Sequence, residues 1–375
     1  MGEAALGNTV FRARRLSGMD DPFLNELDSW AQTAFQTKSF LATLAATTAP
    51  ALGAELAIIG VEDAGGAPVA IFPFTLSREG GLLVAEAVGL GCSDYFVPVT
   101  PDNRPLDAKE ADEIWSAVLG ALPAADVARL RNVPLDYDGA SHALTAAKFL
   151  SPMGHCASIM PISRDEKPSS GDAKRKLNKL QKQGRVEFVS PTDADGRDEL
   201  LDAMFALRRA RFADLGRSDY LEQPGVNAFY RQLASDPGGI VHLSGLKVDG
   251  EVLAVVYGLL RHGRFTLLIP TMTSDEKWAP FSPGLVAMYL TIEHGKAAGW
   301  HMFDFSVGDL QYKSRFGAEK VELFEVQRAL SLKGLPRVLI ARLRSAVRTL
   351  RLRNPGFAQR LAELRLRLSG KPSEA

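Results

Sequence analysis

Cysteine is almost missing from this 375-residue chain, with Cys92 and Cys156 the only two. Two thiols are too few for a thiolate zinc site and supply no disulfide framework, so the expected compartment is the cytoplasm. Histidine is also thin, at positions 142, 155, 242, 262, 294 and 301, without the paired spacing of a metal site. His242 alternates with apolar neighbours and reads as a half-buried structural residue. No apolar run reaches the roughly 18 residues of a membrane span. Residues 1–25 lack the basic start and apolar stretch of a signal peptide, and Leu6 stands where a myristoylation signal needs Ser or Thr. There is no nucleophile elbow and no Walker-type loop, and the dispersed tryptophans form no base-stacking platform. What remains is an ordinary globular composition, 46% hydrophobic and 23% charged, in a chain long enough for about two domains.

The formal net charge of zero conceals a division. From Lys333 onward, eleven Lys and Arg face only Glu363 and Glu374, a surplus of nine that the rest of the chain balances with minus nine. The basic tail divides at Asn354-Pro355-Gly356 into two amphipathic segments. Leu339, Leu343, Val347 and Leu350 form one stripe, and Leu361, Leu364 and Leu368 the other. Such segments either pack on the chain's own acidic body or lie on anionic lipid or a synthase partner.

Residues 20–50 read as helix, started by Asp21 and Pro22. Two hairpins follow the same design: 55–61 turning at Asp63–Gly66 into 67–72, and 240–246 turning at Asp249-Gly250 into 251–257. They align at a constant offset of 184, Gly66 with Gly250 and Ile71 with Val255, which fits two similarly built halves. Further strands are expected at 81–88, 264–272 and 302–308, and a helix from Leu285 to Ala298 stopped by Gly299. Between the halves, the Lys167–Gly171 stretch reads as a connection. A basic helix runs from Asp172, its expected N-cap, to Gln183, with Lys174, Arg175, Lys176, Lys179 and Lys182 and no acid after the cap.

The stretch 303–317 is richest in reactive groups. Asp304 lies inside an apolar strand, where a carboxylate is costly unless paired or used. Gly308 permits a tight bend, and Tyr312, Lys313 and Arg315 add a phenol and two cations. Asp304 is therefore either in an ion pair with one of those cations or part of a reacting site.

These residues, in this order, resemble the bacterial GNAT-type acyltransferases of the CelD/BcsL-like group, relatives of the Fem aminoacyl transferases. The resemblance rests on Ser93-Asp94-Tyr95, the basic helix 174–182 with Gly184–Phe188, Arg211-Phe212 and Asp249-Gly250. It continues through Ser282-Pro283-Gly284, Phe303-Asp304-Phe305, Gly308, Tyr312-Lys313 and Phe316-Gly317. It spans about Trp30 to Ser331. Phe212 stands where the family has Trp, and the glycine-rich phosphate loop of typical GNAT enzymes is lacking.

The resemblance implies an α/β fold of two GNAT-like halves with mixed sheets flanked by helices, at 1–160 and 161–332, followed by a basic helical tail at 333–375. It implies two parallel strands, 264–272 and 302–308, that splay to admit the arm of acyl-CoA, with Pro270 at a bulge or strand end. The helix start at Ser282, Gly284 and Leu285 would hold the pyrophosphate or serve simply as a helix entry. Asp304 or Asp94 would take a proton from the attacking amine, Tyr312 would protonate the departing thiolate, and Lys313 would hold an anion. Tyr95, Arg211 and Arg315 would contact substrate. The implied function is an acyl-CoA-dependent N-acyltransferase acting on an amino sugar or a cell-envelope or exopolysaccharide precursor, without metal. A Fem-like transferase using aminoacyl-tRNA and a non-catalytic accessory protein of polysaccharide synthesis are the alternatives.

Overall fold

The computed structural model describes residues 11–101, 106–122, 124–138, 140–141, 144–163, 171–236 and 239–353. Strands β1 (Arg12–Arg15), β2 (Glu55–Glu62), β3 (Pro68–Glu79), β4 (Leu82–Ala87) and β5 (Val127–Pro134) come first, then a small hairpin, β6 (Asp136–Tyr137) and β7 (Ala140–Ser141). After β8 (Ser151–Pro161) the later strands are β9 (Val186–Val189), β10 (Val241–Val248), β11 (Glu251–Arg261), β12 (Arg264–Met272), β13 (Met302–Val307) and β14 (Glu319–Ala329). Twelve of them form one mixed sheet in the order β1-β2-β3-β4-β5-β14-β8-β13-β12-β11-β10-β9.

The two sequence-matched hairpins are β2–β3 and β10–β11, both antiparallel. Asp249 and Gly250 both take positive φ at the second turn, the conformation a two-residue hairpin of this hand requires. Each half then contains one parallel pair, β4 with β5 and β12 with β13. The strands that follow are exchanged: β8 lies beside β13, and β14 lies between β5 and β8. The sheet is thus continuous through the centre of the molecule.

The helices are α1 (Leu27–Trp30), α2 (Lys38–Ala46), α3 (Thr48–Ala51), α4 (Ala108–Ala121), α5 (Gly171–Leu180), α6 (Ala194–Asp214), α7 (Val226–Ser235), α8 (Pro283–Ala298), α9 (Gln311–Ser314) and α10 (Leu335–Arg353). Alternation along β11 sorts them. Ala254 and Val256 join the core beneath α8, while Val255, Tyr257 and Leu259 join the core under α2, α6 and α7. The latter core takes residues from both halves, among them Phe35, Phe40, Tyr95, Phe229 and Tyr257.

Several expectations change. The helix expected over 20–50 is broken, because the Thr33 hydroxyl accepts the Phe35 N–H and that of Thr37 accepts the Phe40 N–H. These side-chain caps start new turns and let Leu27, Phe35, Phe40 and Leu44 all reach the core. The basic helix begins at Gly171, so Asp172 lies in its first turn and bonds Arg175 instead of capping. Arg211 belongs to the last turn of α6. Leu339 and Leu343 face outward on α10, while Val338 turns inward. The Asn354–Gly356 break, the Leu361, Leu364 and Leu368 stripe, His142 and most of the connection before Gly171 lie outside the described residues.

Candidate active site

The second half opens where its parallel pair ends. β12 and β13 are joined from Arg264–Met302 to Thr266–Asp304, and no rung follows. A bulge places Leu268 out of register with β11, bending β12 two residues before Pro270. Beyond Thr266, the edge of β12 facing β13 has no strand partner among the described residues. A cleft of about 660 Å³ lies at this end of β12. Its apolar wall includes Val255, Val256, Pro270, Met272, Leu285 and Met288, and its polar groups include Arg211, Ser282, Tyr312 and Arg315.

Of the residues expected to act, six line this cleft: Ser282, Gly284, Leu285, Arg211, Tyr312 and Arg315. Ser282 takes φ +48° and makes no side-chain cap, so the start of α8 is open. Pro283 has no N–H, and those of Leu285 and Val286 return to the Ser282 carbonyl. The N–H left for a ligand is that of Gly284, beside which the Met272 side chain packs closely. Burial pushes the Tyr312 phenol up to about 12, so it is protonated at neutral pH. Among the described residues Arg211 has no carboxylate partner, and Arg315 lies 3.9 Å from Asp172.

The other four, Asp94, Tyr95, Asp304 and Lys313, are gathered in a polar cluster behind the splay, away from the cleft wall. Asp304 is fully enclosed. Its Oδ1 accepts the Tyr95 hydroxyl at 2.8 Å and the Ser306 N–H at 2.6 Å, and its Oδ2 accepts Arg264 Nη2 at 2.7 Å and Nε at 3.1 Å. The cation that pairs Asp304 is thus Arg264, not one of those at 312–315. Arg264 also donates to Asp138 at 2.7 Å and lies 3.9 Å above the Tyr137 ring. Burial weakens its charge, but Tyr137, Asp304, Asp138 and Tyr95 together outweigh that and raise its pKa. Lys313 Nζ donates to the carbonyls of Ser306, Val307 and Gly308 at 2.8–3.0 Å, tying down the end of β13. Its burial lowers its pKa despite Asp304 and Asp94 nearby.

Asp94 is only partly exposed, whereas Tyr95, Asp304 and Lys313 are buried. It accepts the Ser306 hydroxyl, and Ser306 itself is held at φ +60°. Burial, with the neighbouring Asp304 charge, pushes the Asp94 carboxyl up to about 6 against the help of Ser306 and Lys313. It is therefore a carboxylate poised to exchange a proton near neutral pH.

The first half differs at the equivalent place. Ile71, the counterpart of Val255, pairs with Val99 after β4 has ended, where Val255 pairs with Thr271 inside β12, and the Phe96 N–H reaches the Asn132 carbonyl of β5. Residues 95–99 thus fill the space beyond β4, with Tyr95, Phe96, Val97 and Val99 all buried. The start of α4 is closed by a capping box, Asp107 accepting the Lys109 and Glu110 N–H groups while Glu110 accepts the Asp107 N–H.

Sequence reasoning missed Arg264, Tyr137, Asp138 and Ser306. A signal was present for the first. Two parallel strands that pair from their starts set Arg264 opposite Met302 and so diagonally from Asp304 on the same face, and an enclosed carboxylate demands a cation.

Residues 169–314 match the family model described as acetyltransferase (GNAT) domain. No curated protein matches the chain in sequence. Among solved structures, FemX is 13% identical, with a TM-score of 0.57 over 80% of this chain and 94% of its own. A conserved protein of unknown function from Bacteroides thetaiotaomicron is 13% identical, with a TM-score of 0.50 over 80% of this chain and 96% of its own. A tandem GNAT protein from the clavulanic acid biosynthesis pathway is 12% identical, with a TM-score of 0.45 over 86% and 99%. The GNAT match, covering α5 to α9, supports an acyltransferase.

Proposed function

We propose that the chain is an acyl-CoA-dependent N-acyltransferase of the CelD/BcsL-like group, acting on an amino sugar or a cell-envelope or exopolysaccharide precursor. The observation that carries this reading is the unpartnered edge of β12 at a splay that ends on the open helix start of α8. An extended donor with amide groups would add to that edge as a strand does, and its phosphates would meet the Gly284 N–H, Arg211 and Arg315. The GNAT match over 169–314 supports the same donor class. The free thiols Cys92 and Cys156 suit a cytoplasmic enzyme.

The amine adds to the thioester carbonyl, forming the C–N bond, and collapse breaks the C–S bond. Backbone N–H groups on the free β12 edge hold the developing oxyanion. The amine proton passes to Asp94 through water, Tyr312 gives its proton to the departing thiolate, and solvent then reprotonates Tyr312 as Asp94 releases its proton. Asp304 already accepts four donors, so in this reading it and Lys313 are positioning residues that fix β13, together with Tyr95. The proposed halves, 1–160 and 161–332, lend each other their last strands, and 333–375 forms the tail.

A Fem-like donor, aminoacyl-tRNA, is the second reading. The observation favouring it is the basic helix beside the cleft: Lys176 Nζ donates to the Pro280 carbonyl just before α8, and Lys174, Arg175 and Lys179 are exposed. A thermal-shift series decides between the donors. A rise in melting temperature with CoA but not tRNA is expected. A rise only with tRNA, steeply lost with salt, overturns the CoA reading.

A further inference from the structure

The helix α10 is docked on the body along one side and bare along the other. Its start presses so closely on the Asp126 carbonyl that a Cβ at Gly334 would lie 2.1 Å from it, and Ser331 bonds the Asp126 carboxylate. Val338 is buried, and Arg337 pairs with Glu79. Ala341 and Ser345 continue this inner seam at helical spacing, lining a groove against β14. The orientation of the helix is therefore fixed.

The opposite side carries Leu335, Leu339, Ile340 and Leu343, with exposures of 44%, 60%, 50% and 66%, and Leu332 just before the helix is 85% exposed. At about 100° per residue, these side chains span one continuous arc. Arg342 and Arg344 are exposed at its two edges. Between Leu335 and Arg353 there are six arginines and no acid. Lys148 and Arg328 extend the basic border into the body beside Arg342. Burial, and then the nearby Arg342 guanidinium, lower the Arg328 pKa against the opposing charge of Asp112.

We propose that the outward face of α10 docks on a membrane surface bearing anionic lipid headgroups, with the helix lying parallel to the bilayer. Charge selects this occupant. The tail beyond Arg353 has Arg360, Arg365, Arg367 and Lys371 against Glu363 and Glu374, and a second copy would set arginine against arginine. Both would bring like charge to a basic rim, whereas anionic headgroups neutralise it while the leucines enter the acyl boundary. This surface is independent of the acyl-transfer cleft.

Co-sedimentation of the full chain with phosphatidylcholine vesicles, with and without phosphatidylglycerol, tests the proposal. Binding is expected only to the anionic vesicles and is expected to fall with salt. Arg342→Gln with Arg344→Gln should lower partitioning about twenty-fivefold, from roughly a fivefold factor per basic side chain. Leu339→Ser with Leu343→Ser should lower it about tenfold or more. Because all four side chains are exposed, unchanged urea midpoints will show that both variants fold. Equal binding to neutral and anionic vesicles, or no binding to either, overturns the proposal. So does a lipid-free dimer that the leucine pair abolishes, since it assigns the face to a second copy.

Discussion

Replacing Asp304 with Asn tests how the splay is held open. The substitution keeps the shape of the side chain and removes its charge. In the folded protein, Arg264 then loses its enclosed counter-ion and keeps only the partly exposed Asp138. The Tyr95 hydroxyl can still donate to the amide oxygen, but the Ser306 N–H and both guanidinium bonds cannot all be kept. Breaking a buried pair from one side costs about 3–5 kcal/mol, far more than the pair contributes relative to apolar replacements. Urea unfolding of the wild type, Asp304→Asn, Arg264→Met and the double variant forms a cycle. The two single losses should each reach about 3 kcal/mol, with a coupling of about 2 kcal/mol or more. A loss below about 1 kcal/mol in Asp304→Asn would show that Asp304 and Arg264 do not form an enclosed ion pair, because such a carboxylate cannot be removed so cheaply.

Three further expectations concern Asp94 and the cleft. Asp94→Asn should lower kcat by about 10²–10⁴ and remove the acidic limb of the rate profile near pH 6, whereas an unchanged limb assigns that ionisation elsewhere. The same shift has a sign for stability. Since the folded Asp94 pKa is raised, its contribution is complete at pH values below the ordinary carboxylate range and is lost as pH rises through about 6. Asp94→Asn should therefore flatten that decline in the urea midpoint. Gly284→Ala would place a Cβ 2.9 Å from the Met272 thioether, which must swing into the cleft. Donor KM should rise about tenfold while stability falls by less than about 1 kcal/mol, because the displaced group is a flexible side chain.

The legible parts of the fold were those with local signals. Alternation marked both hairpins, Asp249-Gly250 fixed a turn, and Gly299, at φ +80°, ended α8 as its position implied. The constant offset between the hairpins matched Ile71 with Val255, but did not foretell that Ile71 pairs with Val99 after β4 has ended while Val255 pairs with Thr271 inside β12 and lines a cleft. That difference depends on residues 95–99 returning to β3 and β5, a long-range pairing without a local pattern. The exchange of β8 and β14 was hidden for the same reason. At the site, Ser282-Pro283-Gly284 was readable because a helix start has its own chemistry. Asp304 was readable as an acid needing a partner, but its true partner sits forty residues earlier on the neighbouring strand. Tyr137 and Asp138 come from the other half, and only the folded chain brings them to Arg264. The outward turn of Leu339 and Leu343 followed from which side Val338 and Gly334 dock, not from the stripe itself.

In the proposed reaction, the diverging strands of the second half hold one thioester donor and the first half holds none. Calorimetric titration of CoA into the full chain measures this directly. One molecule should bind per chain, with affinity reduced about tenfold or more in Arg211→Ala and in Arg315→Ala, from the loss of a charge-assisted contact to phosphate. Two molecules per chain, or no binding in a protein that melts cooperatively, would contradict it.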